Sequence, residues 1–199
     1  MNLAKACNNL SLRSFTTQII MKAQSSLVCT LLSLVFLLSL LTVKVKGQIA
    51  EPKEKYLNVI VFADTECPIT QSYMPELKKM SEEYRSKNVH FKSVFPVYTV
   101  TDPEIKNFLK KYDIVFPGYA DKEHRIVRKY HAKVMPEVVL IDANGQVLYQ
   151  GAIDNWYAGL GKNRPKPTEF YLRNAIEATL NGNPLMTRRT EAVGCLIND

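Results

Sequence analysis

Short apolar runs alternate with longer amphipathic stretches through the central part of the chain, and each pattern predicts a different element. The β-branched, apolar run YLNVIVFA (56–63) predicts a buried strand. A second strand is predicted for VHFKSVFPV (89–97). The segment EVVLIDANGQVLYQG (137–151) predicts two more strands, joined at Asn144-Gly145 because this dipeptide readily adopts the conformation of a tight hairpin turn.

Helical periodicity, with apolar residues three or four positions apart, predicts helices over residues 68–87, 102–112, 121–131 and 168–182. Pro75 lies inside the first of these and predicts a kink. Asp102 and Thr168 are the predicted N-caps of the second and fourth helices, and Gly182 is the predicted stop of the fourth.

The resulting order is strand, helix, strand, helix, helix, strand, strand, helix. Alternating strands and helices that end in a hairpin and a helix predict an α/β fold. In this fold, a mixed central sheet carries helices on both faces.

Residues 26–43 (SLVCTLLSLVFLLSLLTV) form a nearly unbroken apolar run that follows a basic segment without acidic residues. This layout is typical of a secretory signal, and Lys-Gly-Gln at 46–48 offers a small residue where cleavage would occur. The run is also long enough to act as an uncleaved membrane anchor. Met21 begins a more compact signal, so translation would start at either Met1 or Met21. Both alternatives predict an exported domain, periplasmic or extracellular.

The chain is therefore expected to comprise a signal peptide or anchor (1–47), one domain (48–182) and a C-terminal tail (183–199). The first segment holds five basic and no acidic residues, and the rest holds 21 basic and 19 acidic residues. Because the charge of the domain and tail is nearly balanced, nucleic acid is not an expected partner.

Two of the four cysteines, Cys7 and Cys29, lie in the predicted leader, and the other two, Cys67 and Cys195, lie in the domain and the tail. Disulfides persist in exported proteins, so these two thiols are candidates for redox chemistry or for a structural bridge.

Three local features together suggest a family. Cys67-Pro68 follows the first predicted strand, Met135-Pro136 precedes the third, and the Asn-Gly hairpin follows. Over roughly residues 55–182 the chain resembles the thioredoxin-like superfamily. Within it, the chain is most similar to the redoxin branch that includes alkyl hydroperoxide reductase C and thiol-specific antioxidant proteins. The resemblance implies a three-layer fold in which a cis Pro136 faces the active cysteine and the Met135-Pro136 loop holds the extended backbone of a partner.

The chain departs from three specialised members of the superfamily. Dithiol thioredoxins have a second cysteine where this chain has Thr70. Peroxiredoxins have a threonine three positions before the active cysteine, where this chain has Asp64. Copper-delivering relatives have a second cysteine four positions later, where this chain has Gln71. The resemblance therefore implies a generic redoxin.

Cys67 is placed where a helix begins, so its sulfur faces unsatisfied backbone N–H groups and the positive end of the helix dipole. Both favour the thiolate and lower the thiol pKa. The Thr70 hydroxyl, one turn later, could donate a hydrogen bond to the sulfur, while the neighbouring Glu66 charge opposes ionisation. A thiolate attacks disulfides and peroxides. The alternative is a buried cysteine that acts as a small hydrophobic residue.

Cys195 lies in the tail, and three roles for it stay open. It could resolve oxidised Cys67, form a permanent bridge with it, or pair with another molecule.

The segment 153–168 is longer than the connection that the fold requires between its last strand and last helix. It carries Trp156 and Tyr157, which would either recognise a substrate or pack against the domain.

The sequence thus predicts an exported thioredoxin-fold oxidoreductase whose Cys67 performs thiol–disulfide exchange or peroxide reduction, with protein thiols, protein disulfides or small peroxides as partners and no cofactor. Catalysis is assigned to Cys67, Cys195 and Thr70, and substrate binding to Met135, Pro136, Trp156 and Tyr157. No metal site is expected in this reading. The alternative is a non-catalytic binding or copper-carrying module with a structural Cys67–Cys195 bridge.

Overall fold

The computed structural model describes residues 56–198. The predicted leader and the first residues of the predicted domain lie outside that range. The described helices are α1 (Pro68–Arg85), α2 (Asp102–Lys111), α3 (Arg125–Tyr130) and α4 (Tyr171–Leu180). The strands are β1 (Leu57–Phe62), β2 (Val89–Phe95), β3 (Gly118–Ala120), β4 (Val134–Met135), β5 (Glu137–Ile141), β6 (Val147–Gly151), β7 (Tyr157–Gly159), β8 (Lys162–Asn163) and β9 (Cys195–Leu196). None of these helices is long and apolar enough to cross a membrane.

Five strands form the central sheet, in the order β3-β2-β1-β5-β6. Strands β1, β2 and β3 are parallel, whereas β5 is antiparallel to both β1 and β6. This confirms the predicted mixed sheet. The edge strand β3 was not predicted, because three residues are too few to show an alternation of apolar and polar side chains.

The two faces of β1 bury different sets of side chains. Val59 and Val61 belong to the larger core, to which α1, α2 and α4 contribute, whereas Ile60 and Phe62 belong to a smaller core that includes Val127 of α3. Successive residues of a strand point to opposite faces, so a continuous apolar strand has to be covered on both sides. The predicted placement of helices on both faces of the sheet is confirmed.

Two of the predicted N-caps are wrong. Helix α2 is capped by Thr101, whose hydroxyl accepts from the Glu104 amide while the Glu104 carboxylate accepts from the Thr101 amide. This reciprocal capping box makes Asp102 the first helical residue. Thr168 does not cap α4, which begins at Tyr171, because the Asn155 side chain binds both the amide and the hydroxyl of Thr168.

The third helix is shorter than the predicted range 121–131. The Asp121 carboxylate accepts hydrogen bonds from the amides of Ile126 and Val127, and His124 adopts a left-handed conformation. Residues 121–124 therefore form a turn that satisfies the free amides at the start of α3.

The predicted hairpin is confirmed, and its turn spans residues 142–146 between β5 and β6. The Asp142 carboxylate accepts hydrogen bonds from the amides of Asn144 and Gln146. Gly145 supplies the one positive φ angle in the turn.

The C-terminal tail lies along the sheet instead of leaving it. Residues Arg188 and Thr190 form backbone hydrogen bonds with Gln150 at the free edge of β6. Further on, β9 pairs antiparallel with β4. The tail thereby carries Cys195 to the end of the sheet where α1 begins.

Candidate functional site

Cys67 is the N-cap of α1, the position predicted from the strand-to-helix transition. Its carbonyl accepts the first helical hydrogen bond, from the Gln71 amide at 3.0 Å. The Cys67 side chain is only 1% exposed. Its sulfur is therefore held at the positive end of an 18-residue helix and away from bulk water.

Cys67 and Cys195, which are 128 positions apart in the sequence, form a disulfide with their Cα atoms 6.2 Å apart. Cys195 is half-buried and so is the more exposed of the two residues. This pairing agrees with two of the hypotheses for Cys195, that it resolves oxidised Cys67 and that it forms a permanent bridge with it. In the structure Cys195 is not a free thiol.

The Met135-Pro136 peptide bond is cis, and this loop faces the bridge. The carbonyl oxygen of Met135 lies 3.2 Å from the Cys67 sulfur. That distance suits an S–H···O hydrogen bond once the bridge is reduced and Cys67 carries a proton. The structure thus brings Met135 and Pro136 to the predicted position beside Cys67.

A buried polar network anchors the Met135-Pro136 loop. The Glu137 carboxylate accepts hydrogen bonds from the Lys133 amide at 2.9 Å and from the Gln150 side chain at 2.6 Å. The same side-chain nitrogen of Gln150, Nε2, also donates to the Tyr130 carbonyl at 2.8 Å. Because buried polar groups are costly to leave without partners, this network fixes the loop to the edge strand β6. The sequence analysis missed it.

Thr70 is fully buried, and its hydroxyl has no hydrogen-bond partner among the described residues. The hydrogen bond predicted from Thr70 to the Cys67 sulfur is therefore not formed in the bridged state. A buried hydroxyl without a partner costs about 1–3 kcal/mol. Thr70 stands at the third helical position, from which a side chain can reach back to the N-cap.

Trp156 and Tyr157 pack against Tyr73 of α1, with ring centroids 5.5 Å and 5.8 Å away. The indole N–H donates to the Arg164 carbonyl at 2.9 Å. The Tyr157 hydroxyl donates to Ser72 at 3.1 Å, and Ser72 donates to the Pro68 carbonyl in the first helical turn. Both rings thus lie beside the start of α1. The segment predicted to be a long loop contains the hairpin of β7 and β8.

Asp154 has a buried carboxyl group that is hydrogen-bonded to Tyr73 and Trp156. It accepts hydrogen bonds from the Tyr73 hydroxyl at 2.6 Å and from the Trp156 amide at 2.8 Å. Burial raises the pKa of Asp154 above its ordinary value, and the two hydrogen bonds only partly offset that effect. Burial, followed by the hydrogen bond to Asp154, raises the pKa of Tyr73. No local pattern reveals the Tyr73–Asp154 pair, since 81 positions separate the two residues.

A cavity of about 840 Å³ opens beside the bridge, next to Met135 and Leu196. Its other walls include Lys122 and Arg128 as well as Asp64 and Glu123, so side chains of both charges line it. Among residues 56–198, no group of three or more His, Cys, Asp or Glu side chains is arranged to hold a metal ion.

Comparisons with known proteins identify relatives of this chain. A family model described as Redoxin matches residues 45–156. The thiol-disulfide oxidoreductase ResA of Bacillus thuringiensis is 32% identical over 89 residues, which cover 45% of this chain and 50% of that protein. The ResA protein of Halalkalibacterium halodurans is 28% identical over 100 residues, which cover 49% of this chain and 53% of that protein. This chain thus spans about half the length of the curated relatives it matches.

Two solved structures share the fold. A hypothetical protein from Sinorhizobium meliloti superposes with a TM-score of 0.63 at 24% identity, covering 74% of this chain and 82% of that one. An uncharacterized conserved protein from Geobacillus kaustophilus gives a TM-score of 0.64 at 22% identity, covering 72% and 77%. At these identities the likeness shows a shared fold and nothing more.

Proposed function

Because this chain belongs to the redoxin family of thioredoxin-like proteins, we propose that it is a thiol–disulfide oxidoreductase whose redox-active pair is Cys67 and Cys195. One observation carries the proposal. The two sulfurs are bonded to each other at the start of α1, with the Met135 carbonyl 3.2 Å from the Cys67 sulfur. The ResA relatives are named for the same class of reaction.

The reduced pair would transfer two electrons to a disulfide substrate. The Cys67 thiolate attacks one substrate sulfur, the substrate S–S bond breaks, and the released sulfur takes up a proton. The Cys195 thiolate then attacks the Cys67 sulfur of the mixed disulfide. This step releases the second substrate thiol and restores the Cys67–Cys195 bond. A dithiol reductant, attacking the restored bond, returns both cysteines to thiols.

The difference in exposure between the two cysteines supports a role for each in the reductive step. Cys195 is half-buried and Cys67 is 1% exposed, so an incoming thiolate reaches Cys195 first. Cys67 is then the leaving group, and the helix amides stabilise the thiolate that departs. A leaving thiol of lower pKa leaves faster, so this placement accelerates the opening of the bridge.

The unpartnered Thr70 hydroxyl acquires a partner in this scheme. When the bridge opens, the Cys67 thiolate becomes an acceptor within reach of the third helical position. A hydrogen bond to the ionised form favours that form and lowers the pKa of the thiol. Thr70 thus stabilises the reduced, ionised state at the expense of the bridged state.

The proposed partners are proteins with exposed thiols or disulfides, and the exported, periplasmic or extracellular location stays a prediction of residues 1–47. Met135 and Pro136 would contact the substrate directly, and Trp156 and Tyr157, which pack on Tyr73 of α1, are further candidates for substrate contact. Peroxide reduction would use the same Cys67 thiolate, and its sulfenic acid would be resolved by Cys195.

The burial of Cys67 favours a second candidate, a permanent structural bridge. The redox potential separates the two candidates. Structural disulfides have potentials below about −300 mV, whereas catalytic pairs are more oxidising. Equilibration of the full chain with glutathione or dithiothreitol buffers, followed by counting of alkylated thiols, gives this value. Two free thiols outside the leader in an oxidising buffer would contradict both candidates.

The activity test measures reduction of a disulfide-bonded peptide by the full chain, with dithiothreitol as the reductant. Cys67→Ser is expected to lower the rate by about 100-fold or more. Met186→Ala, at an exposed tail position, is the control and should stay within about twofold. A parallel assay with hydrogen peroxide tests the peroxide alternative. If neither reaction depends on Cys67, the proposal is wrong.

A further inference from the structure

We propose that the C-terminal segment 194–197 is a tethered stand-in for substrate. It occupies the edge of β4 on which an extended, cysteine-containing segment of a partner protein pairs, and it selects for glycine immediately before that cysteine. This inference rests on the proposed function and adds to it a partner class and a means of regulation.

The first observation is strand pairing. Val134 and Met135 pair antiparallel with Leu196 and Cys195, respectively. The Ile197 amide continues the ladder by donating to the Lys133 carbonyl at 3.0 Å. A strand that adds to a free edge in this way uses backbone hydrogen bonds for affinity and side-chain fit for specificity. The tail therefore occupies the β4 edge as an added peptide would.

The second observation is the close approach at Gly194. A Cβ atom on Gly194 would overlap the carbonyl group of Met135. Backbone atoms on both sides leave no flexible side chain that could move aside. A partner segment seated in the same register must therefore have glycine before its cysteine, as the tail does.

The third observation is that the tail is held in two separate places. Upstream, the Thr190 amide donates to the Gln150 carbonyl at 3.1 Å, and the Thr190 hydroxyl contacts both Tyr149 and the Ala152 amide. Gly151 makes room for this contact, since a Cβ there would overlap Thr190. None of these interactions involves the disulfide.

Downstream, the Leu196 side chain is 70% exposed, so it contributes little buried apolar area. The bridge, the short ladder and the packing of the half-buried Ile197 against the smaller core therefore hold segment 194–197. When the bridge is reduced, Thr190 keeps the tail attached while segment 194–197 becomes free to leave. A segment tethered this closely competes with partner peptides at a high effective concentration, so release of the tail controls access to the β4 edge and to Cys67.

The test uses the full chain with Cys7, Cys29 and Cys195 replaced by serine, so that Cys67 is the reacting thiol. The probe is a synthetic octapeptide of tail sequence 191–198, with its cysteine activated as a mixed disulfide with thionitrobenzoate. Cys67 attacks the peptide sulfur and forms a new disulfide, and the released thionitrobenzoate anion is followed by its absorbance. A second probe has valine in place of glycine before the cysteine.

In this background, Ile197→Pro removes the amide that donates to Lys133, and Gly194→Val displaces the tail by overlap with Met135. Met186→Ala is the control, because this tail side chain is 95% exposed and lies outside segment 194–197. Each of the first two variants is expected to raise the rate with the glycine peptide by about fivefold over the control. The valine peptide is expected to react about tenfold more slowly than the glycine peptide.

Equal rates for the two peptides, or no gain in either displaced variant, would overturn the inference. Reaction of Cys67 with 5,5′-dithiobis(2-nitrobenzoate), a small disulfide without a backbone to pair, separates the two levels of the argument. If Cys67 reacts with this reagent but shows no peptide preference, the stand-in role fails and the proposed oxidoreductase survives. If Cys67 is inert toward it in every variant, both are overturned.

Discussion

The sulfur of Cys67 lies 3.2 Å from the carbonyl oxygen of Met135, although 68 positions separate the two residues. This carbonyl can accept a hydrogen bond from a thiol, but it repels a thiolate. The amides at the start of α1 have the opposite preference, since they stabilise the thiolate. The Met135 carbonyl and the helix amides thus have opposite effects on the protonation state of reduced Cys67. The Thr70 side chain lies where a hydrogen bond to the sulfur would favour the thiolate.

Cys67→Ser and Cys195→Ser are expected to behave differently toward a disulfide substrate, although both remove the same bridge. Cys195→Ser should accumulate a stable mixed disulfide, because Cys67 attacks and no thiol resolves the product. Cys67→Ser should form less, because the remaining thiol of Cys195 is not held at a helix N-terminus that stabilises its thiolate. Mass spectrometry of the unreduced adducts, with Cys7 and Cys29 replaced by serine, checks both outcomes. Equal trapping by the two variants would contradict the assignment of Cys67 as the attacking group.

Loss of the bridge should also destabilise the fold. A crosslink between residues 128 positions apart contributes about 5 kcal/mol in the chain-entropy model. Both serine variants should therefore lose a similar free energy of unfolding, measured by urea denaturation against the oxidised chain. This similarity makes each variant the stability control for the other in the trapping experiment.

Thr70→Val should stabilise the bridged state and weaken the reduced one. Valine has nearly the same shape but no buried hydroxyl, so the unfolding free energy of the oxidised chain should rise by about 1 kcal/mol. Without the donor, the pKa of reduced Cys67 should rise, and alkylation by iodoacetamide at neutral pH should slow. The measurement is the pH dependence of alkylation in a Cys195→Ser background.

Thr70→Ser is the matched control for this prediction, because it keeps the hydroxyl and removes only a methyl group. It should retain the alkylation profile of the parent. If Thr70→Val and Thr70→Ser give the same profile, the hydroxyl does not reach the sulfur in the reduced state.

Trp156→Ala should reduce stability more than activity. The indole ring packs on Tyr73 and donates to the Arg164 carbonyl, but it is only half-buried, so a loss of about 2 kcal/mol is expected. Peptide-disulfide reduction should stay within about twofold of the parent. Leu160→Ala, on the turn of the same hairpin and 70% exposed, is the control. A large loss of kcat/KM with unchanged unfolding free energy would instead make Trp156 a recognition residue.

Asp154 should make the fold less stable as pH rises. Burial raises its pKa in the folded state above the unfolded value, so the folded chain binds the proton more tightly. The stabilising contribution is fully present below the ordinary Asp pKa of about 3.9 and is lost as pH rises through the raised value. Asp154→Asn cannot ionise but keeps an oxygen acceptor for Tyr73 and Trp156.

The free energy of unfolding of the parent minus that of Asp154→Asn should therefore decrease from acidic to neutral pH. Urea denaturation of both proteins across this range gives the difference and cancels the titration of groups that they share. A difference that increases with pH would mean that the Tyr73 and Trp156 hydrogen bonds outweigh the burial of the carboxylate.

The main elements of the fold follow from local patterns. Strands β1, β2, β5 and β6 and helices α1, α2 and α4 were predicted because the burial of their side chains repeats with a period that depends only on nearby residues. Strands β3, β4, β7, β8 and β9 have two or three residues each and show no such period. Their hydrogen bonds depend on neighbours far away in the sequence.

The candidate site divides in the same way. The placement of Cys67 at a helix start is local, and Pro136 was located by resemblance to a family. Other features of the site depend on the path of segments that are distant in the sequence. These features are the role of Cys195 among the three left open, the hydrogen-bond partner of Asp154 and the missing hydrogen-bond partner of Thr70.

By itself, then, the sequence determined an α/β domain with one thiol at a helix N-terminus, because periodicity and the strand-to-helix transition are properties of neighbouring residues. Only the tertiary structure decided that the tail crosses the edge of β6, pairs with β4 and brings Cys195 to Cys67. The reason is physical. That arrangement depends on the close backbone approaches at Gly151 and Gly194 and on a polar network below the loop, and each of these joins residues that no local pattern connects.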